Sequence, residues 1–429
     1  MDDKIRVLSV CTSDSSGGAA RAAYRIHLAV LECGVDGRMF VQTKESADDR
    51  VLCARDFKPD SLVYRLLKWP LKYITKRWWQ YQWGKYPDRG SCVLSDLRSS
   101  DIFGALRKID YDVLHLHWVN NGFLPLDKLP RNKPIVWTLH DTWPFCGVCH
   151  YFYDCNGFMA ACGTCPQLGS TSGHDLSHWV WNRKKNIYRK LDLHVVSPSK
   201  WLGEYARKSS LLGGFPLTVI PNCLDTGQFR PIQENEVSPK WHRLLESGRK
   251  PFVLFGAVSA VTDERKGFHL LLSALRILAD AGKGDLFELI VFGADKPLEG
   301  IPESIPVHNV GFISDTDELV SLYNVAQVMV VPSLTENLPC TIMESMSCGT
   351  PVVAFDIGGN GDMIDHQVNG YLARKGDSED LARGILWCLD HTPAYGKAAR
   401  LKVLENYSLE IVGQEYADLY RSLLSSANH

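Results

Sequence analysis

Short apolar runs recur along the chain at 5–10, 35–42, 113–117, 135–139, 193–197 and 217–220, then again at 252–255, 289–292, 328–331 and 351–355. The stretches between many of them read as helix. The clearest is 19–31, amphipathic and ending near Gly34. Short buried strands alternating with helices leave few solutions other than a parallel sheet covered by helices on both faces. A chain of 429 residues exceeds one ordinary hydrophobic core, so two such domains are expected. The boundary is expected in the loop that runs from the strand at 217–220 to Pro231. The expected division is therefore 1–216, a linker region at 217–231, a second α/β domain at 232–395, and terminal helices at 396–429 that pack back on the first domain.

Charge excludes one class of partner. Forty-seven basic residues against 49 acidic ones give a net charge of −2, too little field to recruit nucleic acid. No apolar run approaches the roughly 18 residues of a spanning helix. The start of the chain lacks a basic segment followed by a long apolar one, so no secretory leader is read there and a cytoplasmic location is expected. The 13 cysteines then read as reduced, buried small side chains apart from one cluster.

The densest chemistry lies at 332–354. The apolar run 328–331 is followed by a loop with Glu336, Asn337, Leu338 and Pro339, a helical pattern at 341–348 closed by Gly349, and another apolar run. Two carboxylates, Glu336 and Glu344, thus sit at a loop tip and a turn into a helix. Free backbone N–H groups and a positive helix end at such a junction suit a diphosphate. A surface Glu and a helix-face Glu would arise often by chance; the whole run would not.

This segment resembles the signature of the family 4 retaining glycosyltransferases. The resemblance extends over nearly the whole chain, through Gly17-Gly18 after the first strand, the run 136–141 ending His140-Asp141, the run 219–222 ending Pro221-Asn222, and Arg265-Lys266-Gly267-Phe268. The runs 114–119 and 139–145 and the cysteines that follow resemble the exopolysaccharide and colanic-acid subgroup. The resemblance implies a GT-B fold, two doubly wound Rossmann-like domains facing a central cleft. It implies Lys266 on the donor diphosphate, Glu344 on the nucleotide ribose, Glu336 near the donor sugar, and backbone N–H groups of Asn337 and Leu338 on donor hydroxyls or phosphate. His140 would face the donor sugar. Many relatives carry an Arg where this chain has Ala257, and Arg265 is expected to supply the second cation.

The residues support these assignments unequally. Gly17-Gly18 lets main-chain N–H groups approach a phosphate or sugar, yet a plain tight turn reads the same way. His140 follows a buried strand, at the sheet edge where open α/β sheets bind ligands. His115 and His117 share one face of the preceding strand and read either as acceptor-side groups or as core.

Cys146, Cys149, His150, Cys155, Cys162 and Cys165 crowd a short segment. Cys162-Gly163-Thr164-Cys165 has a zinc-knuckle spacing, and the resemblance keeps Cys149, Cys155, Cys162 and Cys165, so a structural zinc is expected beside the alternative of buried thiols. No cofactor is expected in catalysis. Asp315-Thr316-Asp317 and Asp110-Tyr111-Asp112 match a metal-holding pattern, but the first reads as a helix start and the second merely precedes a strand. Between Tyr64 and Arg89, seven basic residues, one acidic residue and eight aromatics place Leu71, Ile74, Trp78 and Tyr81 on one helical face. That is an interfacial pattern, read as contact with an anionic membrane surface on the inner face of the cell membrane, beside the alternative of a helix packed on its own domain with solvated lysines.

The resulting expectation is transfer of a sugar from a nucleoside-diphosphate sugar to a saccharide acceptor, lipid-linked, in surface polysaccharide synthesis. A GT-B nucleotide-sugar epimerase and a non-catalytic GT-B scaffold are the alternatives.

Overall fold

The computed structural model describes residues 4–57, 73–74, 77–78, 80–86, 106–120, 122–242, 250–256, 261–294 and 296–426. Ala257 and most of 64–89 lie outside the described residues. The chain divides into two compact units, 1–221 with 412–429, and 222–411.

In the first unit the chain order is β1 (Arg6–Ser13), α1 (Gly18–Glu32), β2 (Asp36–Thr43), β3 (Val51–Cys53), β4 (Val113–Leu116), β5 (Ile135–Thr138), α2 (Leu176–Tyr188), β6 (Leu193–Ser197), α3 (Lys200–Lys208) and β7 (Leu217–Val219). The strands form one sheet in the order β3-β2-β1-β4-β5-β6-β7, with every neighbouring pair parallel. The order reverses at β1 and β4, which makes the carboxyl ends of those strands the place for a ligand. Side-chain oxygens satisfy orphan N–H groups at helix starts: Asp175 accepts from His178 at α2, and Ser199 accepts from Leu202 at α3.

The second unit runs β8 (Phe252–Gly256), α4 (Phe268–Asp280), β9 (Glu288–Phe292), β10 (Val307–Gly311), α5 (Thr316–Val325), β11 (Val328–Val331), α6 (Cys340–Ser347), β12 (Val352–Phe355), α7 (Asn360–Met363), β13 (Gly370–Ala373) and α8 (Ser378–Asn406). Its parallel sheet has the order β10-β9-β8-β11-β12-β13. The order reverses between β8 and β11. Alternate residues of one strand serve opposite cores: Met329 and Val331 pack with Leu254 and Ile342, while Val328 and Val330 pack with Val253, Phe255 and Leu275. Burial on both faces explains why these strands read as unbroken apolar runs.

The strands that sequence periodicity missed are β3, β10 and β13. All three are sheet edges, and β10 alternates between exposed and half-buried positions. The expected boundary at 396 falls inside α8, because Tyr395, Ala399 and Val403 are buried in the cores of the second unit. The chain rejoins the first unit at Val412, within the last helix, α9 (Leu409–Ser426). Likewise 217–219 is the outermost strand of the first sheet rather than linker.

Candidate active site

At the carboxyl end of β11, the loop from Pro332 is pressed against the turn that precedes α4. Leu334 N–H donates to the Arg265 carbonyl at 2.8 Å. Gly267, with φ +73°, lies so close that an added Cβ would stand 1.8 Å from the Pro332 carbonyl oxygen. Only glycine fits there, on conformation and on space. This close approach delivers Lys266 to the loop: its Nζ donates to Glu336 Oε1 at 2.7 Å, with both side chains largely sheltered. The far side of the loop is held by Gly359 N–H on the Asn337 carbonyl at 2.8 Å and by Asn222 Nδ2 on the Leu338 carbonyl at 3.4 Å.

Glu344 follows one turn into α6 and is 1 % exposed. Tyr323 Oη donates to its Oε2 at 3.1 Å. A carboxylate so deep is costly unless hydrogen-bonded, and a nearby ligand hydroxyl would be a further donor. Glu336, Asn337, Leu338 and Glu344 are therefore carried by one loop–helix unit at the strand-order reversal, and Lys266 reaches it from the turn before α4. Arg265 is not aimed with them. Its guanidinium grips Asp263 through Nε–Oδ1 at 3.0 Å and Nη2–Oδ2 at 2.5 Å. The expected second cation is already matched by a carboxylate, because Asp263 also caps this turn by accepting from the Arg265 N–H.

In the first unit, Gly17 caps α1 with φ +90° and Gly18 begins it. An added Cβ at either would meet nothing within 4 Å, so the turn borders open space. The preceding loop is pinned by Asp14, which accepts from the N–H groups of Glu45 and Ser46 at 3.0 Å each.

His140 stands just beyond β5 and its Nε2 lies 3.1 Å from His117 Nδ1. Burial lowers its pKa to about 4, slightly offset by Asp141, so it is neutral near pH 7. Burial likewise lowers His115 to about 3 and takes His117 well below the usual histidine range. Asp141 accepts from Trp118 Nε1 at 2.8 Å, from Trp143 N–H at 2.9 Å and from His150 Nδ1. Burial works against its charge, yet His150 and these donors hold the carboxyl below the usual range.

Cys149 and Cys155 both come within electrostatic reach of Cys162, but the expected ligand set is not formed. Among the described residues no group of three or more His, Cys, Asp or Glu side chains is placed to hold a metal ion. Cys149 and Cys162 pack in the main core of the first unit, whereas Cys165 packs with Val148, Leu168 and Val180 in a separate cluster. Cys155 Sγ instead accepts from the Gly157 N–H at 3.4 Å. The four thiols thus do not fit a zinc ion as they stand. What organises this segment is Lys184, wholly buried, whose Nζ donates to the carbonyls of Trp143, Cys146 and Gly147 at 2.5, 2.9 and 3.0 Å and lies 3.5 Å from the Trp143 ring centre. Sequence reasoning missed Lys184, as it missed Tyr323. Nothing in a helical Lys or Tyr announces burial before the fold supplies the partners.

Three carboxylates of the two Asp-x-Asp patterns have structural partners. Asp315 accepts from Glu318 N–H at the start of α5, and Asp110 and Asp112 bind Arg6.

Residues 16–228 match the family model described as "Glycosyltransferase Family 4", and residues 252–391 match that described as "Glycosyl transferases group 1". The chain belongs to the family 4 glycosyltransferases. It is 27 % identical over 256 residues to the putative colanic acid biosynthesis glycosyl transferase WcaC of Escherichia coli, covering 57 % of this chain and 59 % of that protein. It is 31 % identical over 180 residues to the amylovoran biosynthesis glycosyltransferase AmsK of Erwinia amylovora, covering 37 % and 42 %. These matches span about two fifths to three fifths of the curated relatives' length. Among solved structures, HepE of Anabaena in complex with UDP and glucose superposes with a TM-score of 0.63 at 17 % identity, covering 97 % of this chain and all of that one. The fold is GT-B. No helix among the described residues is long and apolar enough to cross a membrane.

Proposed function

We propose that this family 4 member is a retaining glycosyltransferase that moves a sugar from a nucleoside-diphosphate sugar to a saccharide acceptor in surface polysaccharide synthesis. The observation that carries this reading is the sheltered Lys266–Glu336 pair beside the buried Glu344, all at the strand-order reversal of the second sheet. Lys266 would exchange Glu336 for the donor diphosphate, placing a fixed positive charge where negative charge develops as the glycosidic bond breaks. Glu344 would accept from the ribose hydroxyls, and Glu336, released from Lys266, would accept from a sugar hydroxyl. From the first unit, the Gly17-Gly18 turn is assigned to substrate contacts through main-chain N–H groups, and His140 through its neutral ring. The acceptor oxygen forms the new bond on the face from which the diphosphate leaves, and its proton passes to the departing phosphate. No divalent cation is assigned a catalytic role, since Asp315 serves helix capping and Asp110 and Asp112 serve an arginine.

The names of WcaC and AmsK support a polysaccharide acceptor, and we extend this to a lipid-linked one handled at an anionic membrane surface. Ile74, Trp78 and Tyr81, three members of the apolar face read from the sequence, are all exposed. Trp83 and Tyr86 instead pack against the cluster of Val148 and Leu168, and the Trp78 ring centre lies 6.2 Å from that of Trp179.

The test is incubation of pure protein with UDP-, GDP- and ADP-sugars, following slow donor hydrolysis. One donor should be hydrolysed, and Lys266→Ala should lower that rate about 100-fold or more without altering the fold. An epimerised donor, or no turnover with any donor or acceptor, would sink the reading.

A further inference from the structure

His117 is buried at the end of β4, and its two ring nitrogens differ. Nδ1 lies 3.1 Å from His140 Nε2, while Nε2 is sealed from solvent with no hydrogen-bond partner among the described residues. His115 lies tilted against the His117 ring, with ring centres 4.0 Å apart. His115 is itself bonded at both nitrogens: Nδ1 to Tyr420 Oη at 2.7 Å and Nε2 to Thr138 Oγ1 at 2.7 Å. Thr138 Oγ1 in turn meets Tyr416 Oη at 2.9 Å. Tyr416 and Tyr420 are one turn apart on α9, so the last helix of the chain clamps the histidine pair from one side.

The arrangement selects a tautomer. If His117 carried its proton on Nε2, a buried N–H would have no acceptor, which folded proteins avoid more strictly than an idle acceptor. With the proton on Nδ1 the idle atom is a bare lone pair, and Nδ1–H donates to His140 Nε2. His140 Nε2 is then an acceptor, and the proton of that neutral ring must sit on Nδ1.

We propose that His117 is a positioning residue that locks His140 as its Nδ1–H tautomer, so that His140 meets substrate as a neutral hydrogen-bond donor and never as a base. The catalytic clause rests on the function proposed above; the tautomer does not. The groups facing His117 are His115, His140 and, at longer range, His27, and none supplies a carboxylate that would favour a charged ring. Burial of these imidazoles acts in the same direction.

The experiment is long-range ¹H–¹⁵N NMR on ¹⁵N-histidine-labelled full-length protein, with the His140 signals identified by their loss in His140→Gln. Wild type should show His140 in the Nδ1–H form from pH 6 to 8. His117→Asn places an amide donor near the lost Nδ1 and should keep that form. His117→Leu offers no donor and should release His140 to the Nε2–H form that free imidazoles favour. With the donor sugar found above, His117→Leu should lower kcat about 10- to 100-fold, His117→Asn should recover most of it, and nucleotide affinity should stay level in both. An Nε2–H His140 in wild type, or the same tautomer in wild type and His117→Leu, would overturn the proposal. If no donor is turned over, the NMR result still decides the tautomer and the failure belongs to the functional reading.

Discussion

Acid should unfold the first unit well before its carboxylates are protonated. His27, His115 and His117 are wholly or almost wholly buried, and burial lowers His27 and His115 to about 4 and about 3 and takes His117 further down. For a base whose folded pKa is depressed, the unfolded chain takes up the proton first. The stability is whole above the unfolded value of about 6.5 and is lost as pH falls from there toward the folded value. His140, lowered to about 4, joins them; at pH 5 each such histidine costs about 2 kcal/mol, hence about 8 kcal/mol for the four, against a typical domain stability of about 5–15 kcal/mol. Asp14, Asp112 and Asp141 are held low in the folded state and add their loss only near pH 4 and below. Glu415, raised by burial, gains slightly as pH falls and opposes the trend by less than one proton. Urea unfolding followed by tryptophan fluorescence suits the question, because only Trp241 and Trp387 lie in the second unit. Between pH 7.5 and 5.0 the unfolding free energy should fall with a limiting slope near four protons. His27→Leu removes a ring with neither nitrogen bonded and should lower that slope by one proton, with a gain of about 2 kcal/mol at pH 5. A urea midpoint that does not move between pH 7.5 and 5.0 would refute the reasoning.

Other outcomes follow from the same structure. Glu344→Ala should weaken nucleotide binding by about 1.5–3 kcal/mol; unchanged affinity by calorimetry, in a folded variant, would remove Glu344 from the site. Lys184→Met leaves three carbonyls without a donor and should destabilise the first unit by about 3 kcal/mol or more, and a loss under about 1 kcal/mol in urea unfolding would contradict that. Tag-free protein should carry far less than one zinc per chain by elemental analysis, whereas a full equivalent lost in both Cys162→Ser and Cys165→Ser would restore the four-thiolate site. The protein should bind anionic vesicles at low salt and release at high salt, since each basic residue near the surface contributes about 1 kcal/mol; Lys72, Lys76 and Arg77 changed together to Glu should abolish it while donor hydrolysis persists.

Much of this was legible in the amino-acid order. Strands buried on both faces must be apolar throughout, so β1, β5, β8, β11 and β12 are marked by composition, and their spacing by helices dictates parallel sheets. Glu336 and Glu344 were legible for a related reason: a loop–helix junction is local, and its chemistry is carried by consecutive residues. Edge strands such as β10 lacked that imprint because half their surface faces water. Tertiary structure alone decided which long-range partners meet. It set Arg265 on Asp263, brought Lys266 to Glu336 across seventy positions of chain, and set Tyr420 of the last helix on His115 of the fourth strand. Hydrogen bonds and close packing depend on positions in space to a few tenths of an ångström, and residue spacing carries that information only where the chain stays within one turn or one strand.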